Sequence, residues 1–446
     1  GHRLGLPPLS HQPVRPPGWR DGDSSLPFHV HQDGRVNQDV IVVGAGLSGL
    51  IAARNLHKRG CRVRVFEASD GVGGRMRTDS VDGFQLDRGF QILLSAYPAA
   101  QEELDYSALH LKKFRPGALV QSGGQRHRFS DPKRDLGGAW PTLFNTVGTL
   151  SDRFRVLALQ RACGRGSLDD LFSRPQHTTA QILKDRGFSE DMVERFWRPF
   201  LGGVFFDPDL QTPSRMFEFV IRMFAAGDNV VPQMGMGAIP AQVASGLPAD
   251  ILQLNAPVTK VRPQHVTLRS GESHEASVVI IACDAPNAAR LMNEPVPPSR
   301  STTTVYFASE TSPIDEPTLV LAGDRDGPVN HLAVMSQVAP TYAPAGASLI
   351  AANVLGVPDT PDAELRDAIV EQLTAWFGQS VRSWRHLRTY RIAHALPVVA
   401  VGRPTDPLHH TGVIRAGDHL AHGSIQAAID AGQRAAHAAE VALRSR

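Results

Sequence analysis

Cysteine is nearly missing from this 446-residue chain: Cys61, Cys163 and Cys283 are far apart and form no C-x-x-C pair. That spacing excludes a cysteine-based metal or redox motif, offers no disulfide framework and fits a reducing, cytoplasmic setting. Charge of one sign is missing too. Lys+Arg total 46 against 44 Asp+Glu, a net +2, so the basic stripe of a dedicated nucleic-acid binder is not expected. No run approaches the roughly 18 uninterrupted apolar residues of a membrane-spanning helix. The longest, such as Val278–Cys283, are strand-sized. No repeat of fixed period and no charged tail are visible. With 42% hydrophobic and 20% charged residues, what remains is an ordinary globular composition, long enough for several domains. Residues 1–38, rich in Pro, His, Arg, Gly and Ser, show no periodicity and no apolar h-region. They read as a disordered leader and not as a secretory signal.

Folded sequence is expected from Asp39. Val40-Ile41-Val42-Val43 is short, β-branched and apolar, as in a parallel strand buried on both faces. Gly44-x-Gly46-x-x-Gly49 follows at once, Leu50 to Arg59 reads as a helix, and Gly60 ends it. Arg62–Glu67 is a second strand with the acid at its end. In such a βαβ unit Gly44 permits the tight turn, Gly46 lets the backbone approach a pyrophosphate, and Gly49 lets helix and strand pack closely. Leu47 and Ser48, inside this glycine loop, are candidate cofactor contacts, and the N-terminus of the helix after it faces the anion. Glu67, followed by Ala68, can accept both ribose hydroxyls, and an acid there disfavours a 2′-phosphate. Gly71-Val72-Gly73-Gly74-Arg75 then forms a close-approach loop carrying a guanidinium, suited to a second contact on the same pyrophosphate.

Further along, residues 96–250 mix helical segments with Gly/Pro turns. Strands are expected at Ile251–Leu254, Val258–Val261, Val266–Leu268, Val278–Cys283, Thr302–Phe307, Ser348–Asn353 and Val413–Ala416. Helices are expected at Asp362–Phe377 and from about Ile425 to Arg444.

With these motifs the chain resembles the superfamily of FAD-dependent amine oxidases, protoporphyrinogen oxidases and phytoene desaturases. The resemblance covers residues 39–446 and is specific in three blocks: Val40–Arg77; Asp87-Arg88-Gly89-Phe90-Gln91; and Ala416-Gly417-Asp418 with Gly423-Ser424-Ile425-Gln426-Ala427-Ala428. It implies a non-covalent FAD, with no cysteine in the closing block to form a thioether. Gly89, Phe90, Gln91 and Ile92 would run along the flavin, and Gln91 would offer a donor and an acceptor there. Asp418 would lie near the pyrophosphate and ribityl chain. Ser424, Ile425 and Gln426 would open a helix aimed at the flavin's pyrimidine oxygen. Val258 would supply backbone beside adenine. Met234-Gly235-Met236-Gly237 resembles the family's Gly-Gly turn before a helix that enters the flavin domain. Trp197–Phe205 resembles the desaturase and isomerase side of the superfamily. Gly417-Asp418 is followed by His419-Leu420-Ala421-His422, without the aromatic that the amine oxidases carry there, and no lysine matches the one that would hold a water at the flavin.

The fold expected is α/β: a Rossmann-like FAD-binding domain from residues 39–95, 250–298 and 408–446, with an interleaved mixed α+β substrate domain from 96–249 and 299–407. The resemblance implies hydride removal from a carbon of an apolar small molecule, of desaturase, isomerase or porphyrinogen-oxidase type. A flavin amine oxidase, or a prenyl-binding module like the Rab GDP-dissociation inhibitors, are the alternatives. One dinucleotide motif implies that electrons leave to oxygen, a quinone or another carrier. His394 and His422, with His419 beside them, are acid/base candidates. Ala395-Leu396-Pro397 reads either as a weak porphyrinogen-oxidase likeness or as a strand end. Met216–Phe224 reads as a core helix, as the wall of a tunnel, or as a contact with a membrane surface.

Overall fold

The computed structural model describes residues 38–130, 147–402, 408–410 and 412–445. Apart from Gln38, the expected leader lies outside the described residues. The first strand, Gln38–Val43, is covered on both faces: Val40 and Val42 belong to one hydrophobic core, Ile41 and Val43 to another. It lies in the middle of five parallel strands, in the order Leu252–Gln253, Val63–Phe66, Gln38–Val43, Ser273–Ile281 and Val413–Arg415. Three distant stretches of chain thus build one sheet, and their carboxyl ends meet along one edge, where ligands bind in open α/β sheets. The strand at Ser273 starts earlier than expected because its first half pairs with the antiparallel strand His265–Leu268. It ends at Ile281, which leaves Cys283 in the loop beyond.

Helix Leu47–Lys58 packs on one side of this sheet against the closing helix Ile425–Arg444. The closing helix buries Ala431, Ala435, Ala436 and Ala439, and small residues let the two backbones approach. At Gly432 a Cβ would stand 2.5 Å from Ser48 O.

A second sheet has seven strands, in the order Arg385–Pro397, Ser299–Ser309, Ser348–Leu355, Val329–Val334, Leu319–Ala322, Ala118–Ser122 and Gln125–Phe129. All neighbours are antiparallel except Leu319–Ala322 with Ala118–Ser122. Helix Asp362–Phe377 covers one face, where Ile369, Leu373 and Trp376 join a core with Val305, Phe307 and Leu332. Helix Arg198–Phe205 packs on the same sheet, against Leu319–Ala322, Val329–Val334 and Ser348–Leu355. Helix Ser214–Ala226 does two jobs. Phe217, Phe219 and Met223 are buried in the core, while Met216, Val220 and Phe224, four residues apart, look into a cavity. No helix among the described residues is long and apolar enough to cross a membrane.

Candidate active site

A cavity of about 830 Å³ runs from the carboxyl edge of the parallel sheet to the inner face of the second sheet. Its size falls within the range of ligand sites. Its two halves differ in chemistry. The half at the parallel sheet is lined by backbone and charge: Gly44–Ser48 in part, Glu67, Gly73–Arg75, Asp284 and Asp418. The other is walled chiefly by apolar side chains, among them Phe90, Phe114, Phe200, Phe206, Met216 and Phe224.

In the first half, Gly44 has φ +104°, a conformation that costs an L side chain dearly. Gly49 is off the cavity wall and serves packing: a Cβ there would be 2.0 Å from Gly44 O. Gly46 is different. Apart from its chain neighbours, nothing among the described residues comes closer to its imagined Cβ than Ala282 O at 4.0 Å, so its missing side chain leaves room at the cavity. Helix Leu47–Lys58 begins there without a side-chain cap and without an acid in its first turn. Its first N–H groups therefore need an outside acceptor, and an anion is the fitting one. Gly73 N donates to Ala45 O at 2.8 Å, and Gly46 and Gly73 form a parallel bridge, so the two glycine loops touch. These residues fit a dinucleotide pyrophosphate.

Glu67, 8% exposed, is more occupied than expected. Its Oε2 accepts from Ala45 N at 2.7 Å, and its Oε1 accepts from Ser69 N and Ser69 Oγ at 2.8 and 2.7 Å. A carboxylate has about four acceptor positions, so about one remains for a ribose hydroxyl. Arg75 is likewise engaged: its guanidinium donates to Asp418 Oδ1 at 2.6 Å and Ala395 O at 2.8 Å. It ties the glycine loop to the closing block. Ala68 and Val258 also line this half. Cys283 lines it too, and burial pushes its thiol up to about 12, so it is no ready nucleophile.

Gly89, Phe90, Gln91 and Ile92 lie on the wall at the junction with the apolar half. The Gln91 amide nitrogen donates to Arg75 O at 2.8 Å and Arg88 O at 3.3 Å. Its donor is spent on the loops, and only Oε1 is left to meet a ligand. Gly417, Ser424 and Ile425 line the wall as well, and Ser424 caps the closing helix by accepting from Ala427 N.

Like Gly49, four other candidates are not brought to the wall: Gln426, His394, His422 and His419. Gln426 turns its Oε1 to Ala99 N, at 3.0 Å. His394 is exposed, because the pairing of Arg385–Pro397 slips between Ile392 and Leu396 and the alternation of faces breaks there. His422 stacks on Phe172, with ring centroids 5.3 Å apart, and its Nδ1 lies 3.0 Å from Ser424 Oγ. Burial pushes its imidazole down to about 4, so it is neutral at pH 7 and supports the helix cap. The Ala395-Leu396-Pro397 tripeptide does end a strand, and Ala395 and Leu396 also line the cavity.

Sequence reasoning missed His331, Asn229 and Phe206, all on the apolar side, and named Phe200 only within the segment Trp197–Phe205. Phe206 has φ +51°, an outlier for a bulky residue. No acid lines the apolar half among the described residues: the carboxylates of the wall are Glu67, Asp284 and Asp418.

Residues 47–439 match the family described as flavin containing amine oxidoreductase. A coproporphyrinogen III oxidase from Propionibacterium freudenreichii subsp. freudenreichii is 30% identical over 176 residues, covering 37% of this chain and 31% of that protein. Protoporphyrinogen oxidase 2 of Arabidopsis thaliana is 29% identical over 179 residues, covering 40% and 35%. Each match thus spans about a third of the curated relative. Among solved structures, cyclohexylamine oxidase from Brevibacterium oxydans IH-35A superposes with a TM-score of 0.71 at 19% identity, covering 92% of this chain and 100% of that one. At that identity the likeness establishes the fold.

Proposed function

Because the chain belongs to the flavin-containing amine oxidoreductase family, we propose that it is an FAD-dependent oxidoreductase that removes a hydride from a carbon of an apolar molecule, of desaturase, isomerase or porphyrinogen-oxidase type. Its cofactor is FAD, held without a covalent bond. Gly46, Gly73, Gly74 and the bare N-terminus of helix Leu47–Lys58 would hold the pyrophosphate, and Glu67 would hold the ribose. Residues 39–95, 250–298 and 408–446 form the FAD-binding part, with 96–249 and 299–407 forming the substrate part. Hydride acceptance is the chemistry that bound FAD supplies.

The observation that carries the substrate class is that no carboxylate lines the apolar half among the described residues. Burying an ammonium there without a counter-charge is expensive, whereas rings such as Phe90, Phe200 and Phe224 suit a large apolar body. The protein's own work is to exclude water and orient that body, with the Arg75–Asp418 pair closing the polar half beside it. Electrons then pass to oxygen, a quinone or another carrier.

The test is anaerobic bleaching of the bound flavin by a panel: coproporphyrinogen III, protoporphyrinogen IX, phytoene, putrescine and cyclohexylamine. Bleaching by a porphyrinogen or by phytoene is expected. Bleaching by the amines alone would replace this reading with amine oxidation. A purified protein without flavin absorbance would leave a lipid-binding module of the same fold.

A further inference from the structure

His331 is a buried side chain that the reading above leaves without a task. It sits in the strand Val329–Val334, is 2% exposed and lines the apolar half of the cavity. A chain of contacts settles its tautomer. Pro199 O can only accept, so the Asn330 atom 2.8 Å from it is the amide nitrogen. The same nitrogen lies 3.1 Å from His331 Nδ1, which therefore accepts its second proton. Burial pushes the imidazole down to about 3, so the ring is neutral and its single proton sits on Nε2. Among the described residues that N–H has no acceptor.

A second orphan lies on the same wall. Asn229 Oδ1 is buried and has no partner among the described residues. Two rings connect the pair: Phe90 meets His331 edge-on with centroids 4.9 Å apart, Phe114 is 6.3 Å beyond Phe90, and Phe114 N donates to Asn229 O. Room is kept for the imidazole at Gly203, where a Cβ would stand 2.7 Å from Nδ1. Unpartnered buried polar atoms destabilise a fold, and a leucine at position 331 would avoid the penalty. Two such atoms on one wall of a ligand cavity call for a ligand that satisfies them.

We propose that His331 and Asn229 are the polar contacts of the substrate subsite, His331 Nε2–H donating to an oxygen of the substrate and the Asn229 amide meeting a second polar atom. This rests on the apolar-substrate reading and narrows it. The substrate is an apolar body that carries an oxygen to accept from His331 Nε2–H and an N–H or O–H to donate to Asn229 Oδ1. A bare polyene would leave both groups orphaned, and a simple alkylammonium, a donor alone, would leave His331 Nε2–H unsatisfied.

The probes are coproporphyrin III and etioporphyrin III, which share a macrocycle and differ in carrying propionates or only alkyl groups. Binding to the holoenzyme is read by porphyrin fluorescence. Coproporphyrin should bind about tenfold tighter than etioporphyrin, and His331→Leu should erase that margin while etioporphyrin affinity stays within about twofold. FAD content should be the same in both proteins. Equal affinity for the two porphyrins, binding of neither, or equal weakening of both in His331→Leu overturns the proposal. The apolar-substrate reading fails separately, through the flavin-bleaching panel.

Discussion

Glu67 serves its loop and, in the proposed site, the ligand as well. It holds Ala45 N and both donors of Ser69 while keeping about one acceptor position open. In Glu67→Gln an amide NH₂ replaces one of those oxygens, so a donor faces a donor, and the charge that strengthens the others is gone. FAD affinity should fall by about tenfold to a hundredfold with the fold retained, as measured by titrating apoprotein with FAD. Unchanged affinity would place the ribose elsewhere. The βαβ unit was legible because strand, glycines and acid fall within one short stretch and each has a local physical reason. His331 was illegible for the opposite reason. It is one of 18 histidines, and its role comes from Asn330, Pro199 and Gly203, which only the folded chain brings beside it. His394 was misread because a slip in strand pairing leaves no mark in residue type.

At the scale of the element, the closing helix carries two constraints. Its N-terminus leans on His422, whose ring lies between Phe172 and Phe219 and touches Ser424. Because that imidazole is held down to about 4, it changes charge well below neutrality. Any rate limb seen between pH 5.5 and 8, about where an ordinary histidine titrates, should persist in His422→Gln. A limb that vanishes there would return His422 to acid/base work. Farther along, Gly432→Ala would set a methyl 2.5 Å from Ser48 O, and backbone cannot yield as a flexible side chain does. The helix pair should move apart, lowering stability by about 1–3 kcal/mol in denaturant titration. FAD should be lost earlier in the same titration. Helices Asp362–Phe377 and Ile425–Arg444 match their expected bounds because capping and periodicity are local signals. The π-helical stretch Val193–Trp197 was not expected, since it depends on how neighbouring helices pack.

For the whole molecule, one buried acid sets a dependence on pH. Asp87 accepts from Thr78 Oγ1, Met236 N and Tyr342 OH at the junction of the two sheets. Burial raises its carboxyl to about 6 despite those bonds. The folded protein therefore binds a proton that the unfolded chain has released above its ordinary value of 3.8. Stability contributed by Asp87 is fully present below pH 4 and is lost as pH rises through 6, by about 2–3 kcal/mol. The Tm of Asp87→Asn relative to the native protein should rise between pH 4.5 and 7. A difference that stays flat would mean that Asp87 titrates normally. The α/β class was legible from the first strand alone. The slot between the sheets was not, since its walls come from residues as far apart as Phe90, Phe224 and His331.

The parallel sheet places Val413–Arg415 two strands from Gln38–Val43, although nearly the whole chain separates them. A nascent chain must therefore carry an unfinished sheet while everything in between is made. The strand at Ser273 stays without its outer neighbour, and the alanine face of the closing helix has yet to cover helix Leu47–Lys58. Pairings of such long range are slow to form and leave apolar surface open to chaperones and to aggregation. In the proposed site, flavin capture should therefore come late in biogenesis, once Asp418 reaches Arg75. During refolding from denaturant, quenching of free FAD fluorescence should thus lag behind the recovery of helical circular dichroism, and the lag should shorten little as FAD is raised.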